Sequence, residues 1–187
     1  MKKHITFSAV SCASNTQVQA VSAAQLRQAT ENIAHLIAKV RNGDESAKRQ
    51  LPAVCWAAIF ADGQRHAESA EPTGLAYVDI DHISTNAQTD ALTFWQQYFD
   101  NREDDFGIVH AQISPGGDGL HIIFVAQDGS SIEAAQADFA KRSGLPFYDA
   151  KCKDIARMLF LSSSRDTLFD ALDTLYDVEC ETQNTLS

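Results

Sequence analysis

Nine residues, Gly74-Leu-Ala-Tyr-Val-Asp-Ile-Asp-His82, restrict the folds open to this chain more than any other stretch. Leu75, Tyr77, Val78 and Ile80 carry strand propensity, and Pro72 and Gly74 punctuate the start, so the run reads as a buried strand. Side chains alternate across a strand, which puts Asp79 and Asp81 on one face with Cα atoms roughly 6.5–7 Å apart. Carboxylates on an apolar strand require water, a cation or hydrogen-bond donors. A divalent cation is the usual solution, and two-metal phosphoryl-transfer sites need carboxylates held this closely on a rigid element. Taken alone, the pair fits a solvated strand end equally well, so the accompanying motifs decide.

The remaining pattern predicts an α+β chain. The segment 4–10 reads as an edge strand, and Ser22 with Gln25 forms a capping box ahead of one helix carrying Leu26, Ala29, Ile33, Ile37 and Val40. Asn42-Gly43 gives that helix a left-handed end. Residues 51–60 read as a strand turning at Asp62-Gly63, and Leu92, Trp95 and Phe99 mark a helix. Strands over 106–113 and 120–125 flank the loop Ser114-Pro-Gly-Gly-Asp-Gly119; a helix capped near Ser130 ends at Gly144, and 158–161 forms a further strand. Leu168, Leu172, Leu175 and Tyr176 predict a last helix over 166–178, with a frayed polar tail over 179–187. The expected architecture is one domain over 1–187, its core about 5–165, with a mixed or antiparallel sheet flanked by helices.

The net charge of −10 excludes a protein that coats DNA by charge alone. Residues 1–50 hold seven Lys and Arg against three acids, and the rest hold eight against twenty-two. In the acidic part, Lys141, Arg142, Lys151, Lys153 and Arg157 form one dense basic cluster, a place for weak, salt-sensitive docking of DNA. No segment approaches a membrane span, and Cys12, Cys55, Cys152 and Cys180 show no C-x-x-C spacing. These features predict a cytoplasmic protein with reduced thiols and no structural zinc. Trp56 and Trp95 are expected in the core, and His82 and His110 in structural roles, with a lining of the metal site as the alternative for His82.

Two further motifs stand beside the aspartate pair. In Ser114-Pro-Gly-Gly-Asp-Gly-Leu-His121 the glycines Gly116, Gly117 and Gly119 permit close backbone approach and an anion-binding nest, and Ser114 and His121 can donate to the same anion. The third motif is Phe147-Tyr-Asp149, followed by Lys151-x-Lys153-Asp154-x-x-Arg157 and the run Met158-Leu-Phe-Leu-Ser-Ser163.

The order of these motifs resembles the archaeo-eukaryotic primase superfamily, the primase-polymerases. Leu51-Pro-Ala-Val, Ser114-Pro-x-Gly-x-Gly, Lys153-Asp-Ile-Ala-Arg157 and Phe160-Leu-Ser162 narrow it to the bacterial branch of VirE N-terminal-like, helicase-linked domains of mobile genetic elements. The resemblance covers roughly residues 5–165 and implies an RRM-like catalytic core acting in DNA replication. It implies a DNA-templated nucleotidyltransferase with two divalent cations, Mg²⁺ or Mn²⁺, held by the catalytic acids Asp79, Asp81 and Asp149, with Asp154 as the competing third acid. It assigns Ser114, Gly116, Gly117, Gly119, His121, Lys153 and Arg157 to the nucleotide. The implied partners are nucleoside triphosphates, a DNA template and primer, and a helicase in cis or in trans. Asp118 departs from the pattern and would weaken phosphate binding unless it points outward.

Two rival readings stay open. A non-catalytic nucleotide- or nucleic-acid-binding module of the same fold fits the acidic net charge. A metal-dependent phosphohydrolase shares the D-x-D pair, but the haloacid-dehalogenase pattern D-x-D-G-T is broken here by His82-Ile83.

Overall fold

Every residue of the strand Leu75–Ile80 is buried, although it lies at one edge of a four-stranded sheet. Both of its faces must therefore be covered, and the rest of the fold supplies the cover. The computed structural model describes residues 5–175. Strands β1 (Phe7–Val10) and β2 (Gln19–Val21) lead into helices α1 (Ala23–Asn32), α2 (Ala34–Arg41) and α3 (Glu45–Arg49). Strands β3 (Ala53–Cys55), β4 (Ala58–Ile59), β5 (Glu71–Pro72) and β6 (Leu75–Ile80) follow, then helices α4 (Ile83–Asn86), α5 (Ala91–Tyr98) and α6 (Glu103–Phe106). Strands β7 (Ile108–Ile113) and β8 (Leu120–Val125), helix α7 (Ile132–Ser143), and strands β9 (Met158–Phe160) and β10 (Thr167–Asp170) complete the order.

The strands form two four-stranded sheets, ordered β10-β7-β8-β6 and β2-β1-β3-β9, and a small β4-β5 pair. All pairings are antiparallel. The α+β class and antiparallel pairing agree with the sequence, but the single expected sheet is two. Among the described residues no helix is long and apolar enough to cross a membrane.

Cross-strand partners share a face, so Asp79 of β6, His121 of β8 and Gln112 of β7 make one polar row. Tyr77, Ile123 and His110 make the next row on the same face. That face meets the second sheet. Gln112 Nε2 donates to the Phe160 carbonyl of β9 at 2.7 Å, Tyr77 donates to the Asp154 carbonyl at 2.8 Å, and Trp56 stacks on His110 at 5.2 Å. The opposite face is apolar: Phe124 stacks on Phe139 of α7 at 4.4 Å, and Phe139 stacks on Phe99 at 5.8 Å. Burying each such ring contributes about 1.5–3 kcal/mol, enough to fix α7 and the end of α5 against the sheet. Trp56 and Trp95 are both buried, as their patterns predict.

Four expectations are corrected. The strand β1 lies inside its sheet, between β2 and β3, and is no edge. The helix expected through Val40 breaks at Ile33 into α1 and α2. Just before the break, the Thr30 hydroxyl bonds the Arg27 carbonyl and the Asn32 amide bonds the Gln28 carbonyl, side chains competing for the helix's own acceptors. The run 51–60 is not one strand, because β3 and β4 join different sheets. The helix expected over 166–178 is a 3-10 turn, Ser164–Asp166, then β10 and a second turn, Leu172–Thr174. The side chains of this segment are engaged in tertiary ties: Arg27 pairs with Asp170 and Asp173 at 2.8 and 2.7 Å, while β10 satisfies the open edge of β7. Residues 176–178, the tail over 179–187 and Cys180 lie outside the described residues.

Candidate active site

Asp79 is 7% exposed, and its Oδ1 is buried with no hydrogen-bond partner among the described residues. His121 Nε2 lies 3.6 Å from it, beyond hydrogen-bond reach. Burial pushes this carboxyl above the usual carboxylate range; His121 and Arg157 act against that shift, and Asp81 and Asp149 add to it. The third-motif acid stands beside the first. The Asp149 N–H donates to the Asp79 carbonyl at 2.8 Å, and the Cys152 thiol donates to Asp149 Oδ2 at 3.1 Å while lying 3.8 Å from Asp79 Oδ2. That thiol and the Lys151 N–H, at 3.0 Å, hold Asp149 below the usual range. Burial, with Asp149 adding to it, pushes the Cys152 thiol up to about 12.

Asp79, Asp81, Ser114, Gly116 and His121 line a cleft of about 310 Å³ at the seam between the sheets. Arg157 and Lys48 contribute positive charge to it, and Met158, Leu159 and Phe160 of β9 contribute a wall. The chain can open this cleft because it turns sharply after the aspartates: His82 adopts a left-handed conformation (φ +58°), uncommon for a side chain of that size. His82 also lines the cleft.

The glycines of the loop divide their work. A Cβ at Gly119 would collide with the Ile80 carbonyl oxygen and stand 3.0 Å from Ser114 Oγ and 3.1 Å from Asp81 Oδ1. Gly119 therefore lets the loop close on the end of β6. Gly117 makes the turn at φ +86°, with Arg41 packed over it, and Gly116 has open space on the cleft side. Asp118 lines the same cleft, and its carboxylate accepts from the Ser84 N–H and hydroxyl, at 2.7 and 2.9 Å.

Of the residues predicted for the nucleotide, Lys153 is not brought to this cleft. Its ammonium pairs with Glu133 at 2.9 Å, and it lines a separate groove with Asp154. Asp154, the competing third acid, bonds the Ala156 N–H at 2.9 Å and belongs to that groove. The basic cluster also disperses, since Arg142 is held by Asp138 at 2.7 Å and by the Asp105 carbonyl at 3.2 Å. Sequence reasoning missed Gln112, Lys48, Arg41 and Cys152. An amide inside the apolar strand Ile108–Ile113 was the available signal for Gln112; Lys48 reaches the cleft only through tertiary packing, and Arg41 packs over Gly117 outside it, paired with Asp166 at 2.8 Å.

Among the described residues, no group of three or more His, Cys, Asp or Glu side chains is placed so that it could hold a metal ion. Asp79 with its orphaned Oδ1, Asp81 in the same cleft and Asp149, bonded through its backbone to Asp79, offer carboxylate oxygens, the donor type that a hard divalent cation takes.

A family model described as BT4734-like, N-terminal domain matches residues 46–169, a span from α3 to β10 that takes in every acid, loop residue and cation of the predicted site. No curated protein and no solved structure matches the chain. The family match covers well over half of the 187 residues, and the chain belongs to the family of BT4734-like N-terminal domains.

Proposed function

We propose that the cleft is the catalytic centre of a primase-polymerase, joining nucleotides to a 3′-hydroxyl on a DNA template. The observation that carries this reading is the buried, unpartnered Asp79 oxygen in one row with His121, with the third-motif acid bonded to its backbone. A buried carboxylate with neither a donor nor a cation costs stability, and active sites commonly accept such a cost.

Asp79, Asp81 and Asp149 would hold Mg²⁺ or Mn²⁺, which would supply charge neutralisation at the attacking hydroxyl and at the leaving pyrophosphate. The chain's own groups then bind and orient. Ser114 Oγ and His121 Nε2 donate to triphosphate oxygens, and Arg157 and Lys48 supply positive charge. Asp118 keeps its negative charge at the cleft while it accepts from Ser84, and the positive charge of Arg157 and Lys48 has to offset it. In the reaction the 3′-oxygen bonds to the α-phosphorus, the bond to the bridging α–β oxygen breaks, and the hydroxyl proton is released. A helicase, in cis or in trans, would present the template.

One observation favours a second reading, a nucleotide-binding module without transfer activity. The Cys152 thiol bonds Asp149 and lies against Asp79, where a cation would have to compete. Thermal unfolding separates the two. A nucleoside triphosphate should stabilise the transferase strongly only with Mn²⁺ present, whereas metal-independent stabilisation would favour the module.

A further inference from the structure

Gln112 stands at the β7 end of the polar row, next to His121, and is 2% exposed. Its amide touches three groups. The Ser162 N–H, a donor only, lies 3.2 Å from Oε1; the Phe160 carbonyl, an acceptor only, lies 2.7 Å from Nε2; and His121 Nδ1 lies 3.0 Å from the same Nε2. Two backbone groups of opposite character fix which end of the amide is which, since a flipped amide would set oxygen against carbonyl oxygen and NH₂ against N–H. One amide hydrogen goes to Phe160, and the other points at His121.

From this geometry we infer that Gln112 is a positioning residue that sets the tautomer of His121, holding Nδ1 as a bare acceptor and the proton on Nε2. The inference rests on reading the cleft as a triphosphate site. Nε2 is the nitrogen that faces Asp79 Oδ1, and 3.6 Å is too long for a hydrogen bond, so the Nε2–H is left to donate to an incoming anion. With the opposite tautomer His121 would offer the phosphate a lone pair and would repel it. The clamp joins β7, the strand next to that of His121, to the β9 end some distance along the chain, so the two sheets must be docked before the donor is aimed. It also gives the backbone of the second sheet a part in aiming the donor, beside the wall that β9 contributes to the cleft.

The test reads the tautomer directly. Long-range ¹H–¹⁵N correlation spectra of ¹⁵N-histidine-labelled protein at neutral pH should show His121 with Nε2 protonated and Nδ1 bare. In Gln112→Met, close in shape but without the donor, that fixed pattern should give way to a tautomer mixture, and the KM for a nucleoside triphosphate should rise about three- to tenfold, the effect of one lost hydrogen bond. Should Gln112→Met not fold, the wild-type spectrum alone still decides. A proton on Nδ1 in the wild type, or an unchanged pattern in a folded Gln112→Met, overturns the inference. The spectrum needs no nucleotide, so it stands apart from the functional reading: the expected tautomer together with no triphosphate binding would sink that reading and leave the clamp in place.

Discussion

The backbone N–H of Asp149 donates to the carbonyl of Asp79 at 2.8 Å, joining the last acidic motif of the sequence to the first. Seventy residues separate the two, yet this bond, with the Cys152 thiol between their carboxylates, sets Asp149 beside Asp79, which lines the cleft while Asp149 does not. Asp154, only five residues on, is excluded because its carboxylate caps the Ala156 N–H beside a different groove.

Replacing Asp79 by Asn should raise the melting temperature in the absence of metal. Burial is the main force lifting the Asp79 carboxyl above its usual range, so the ionised form is the one the fold resists. The sign follows: with the folded value above the unfolded one, the ionised aspartate destabilises at neutral pH, and the loss is relieved as pH falls through the folded value. An amide removes that penalty. Differential scanning calorimetry of wild type and Asp79→Asn at pH 7 checks the direction, and a lower melting temperature for the variant would contradict it.

Gly119→Ala and Gly116→Ala should diverge. The first forces a methyl group against the Ile80 carbonyl, and crowding of this kind costs about 1–3 kcal/mol. The second meets nothing within 4 Å and should be close to neutral. Urea unfolding of both variants measures the contrast, and equal stability of the two would show that the loop does not close on β6 as described.

Both nitrogens of His110 are buried without partners among the described residues, and burial holds this histidine down to about 4, against an ordinary 6.5. A base whose folded value is depressed stays neutral in the fold while the unfolded chain takes up a proton. The stability it contributes is therefore complete above about pH 6.5 and is lost as pH falls toward 4, a change of about 3 kcal/mol over the window. His110→Phe keeps the stacked ring against Trp56 and should flatten that limb of the stability curve. Chemical denaturation from pH 4 to 7 in both proteins tests this; parallel curves would assign the acid limb to other groups.

Arg157→Ala and Lys153→Ala should differ in nucleotide affinity. Arg157 lines the cleft, so its loss should weaken triphosphate binding about tenfold, as expected for a charge-assisted contact. Lys153 is occupied by Glu133 on an exposed surface, and its removal should change affinity by less than about twofold. Titration with a triphosphate in Mn²⁺ separates them.

The parts of the fold legible in the sequence were those set by local pattern. The buried strand with Asp79, the Ser22–Gln25 capping box and the glycine end of α7 all follow from propensity and caps within a few residues. What escaped was decided over long distances. β10 forms because Arg27 and the edge of β7 hold its residues, which outweighs the helical spacing of Leu168 and Leu172. Lys153 reads as part of a basic cluster until Glu133, twenty residues earlier, takes its charge. The site follows the same division. Asp79 and His121 meet because the register of β6 and β8 pairs them, with Asp81 and Ser114 just past strand ends, and the register of β7 and β8 adds Gln112, whereas Lys48 joins only through contacts that no spacing rule encodes.

The central claim is nucleotide transfer dependent on the buried acid, and primer extension tests it most directly. A primed DNA template, labelled deoxy- and ribonucleoside triphosphates and Mn²⁺ are mixed with the wild-type chain or with Asp79→Asn, each first shown to be folded. The account predicts extension by the wild type and none by the variant. Extension at the same rate by both proteins, or no extension by a wild type that binds the triphosphate, would contradict it.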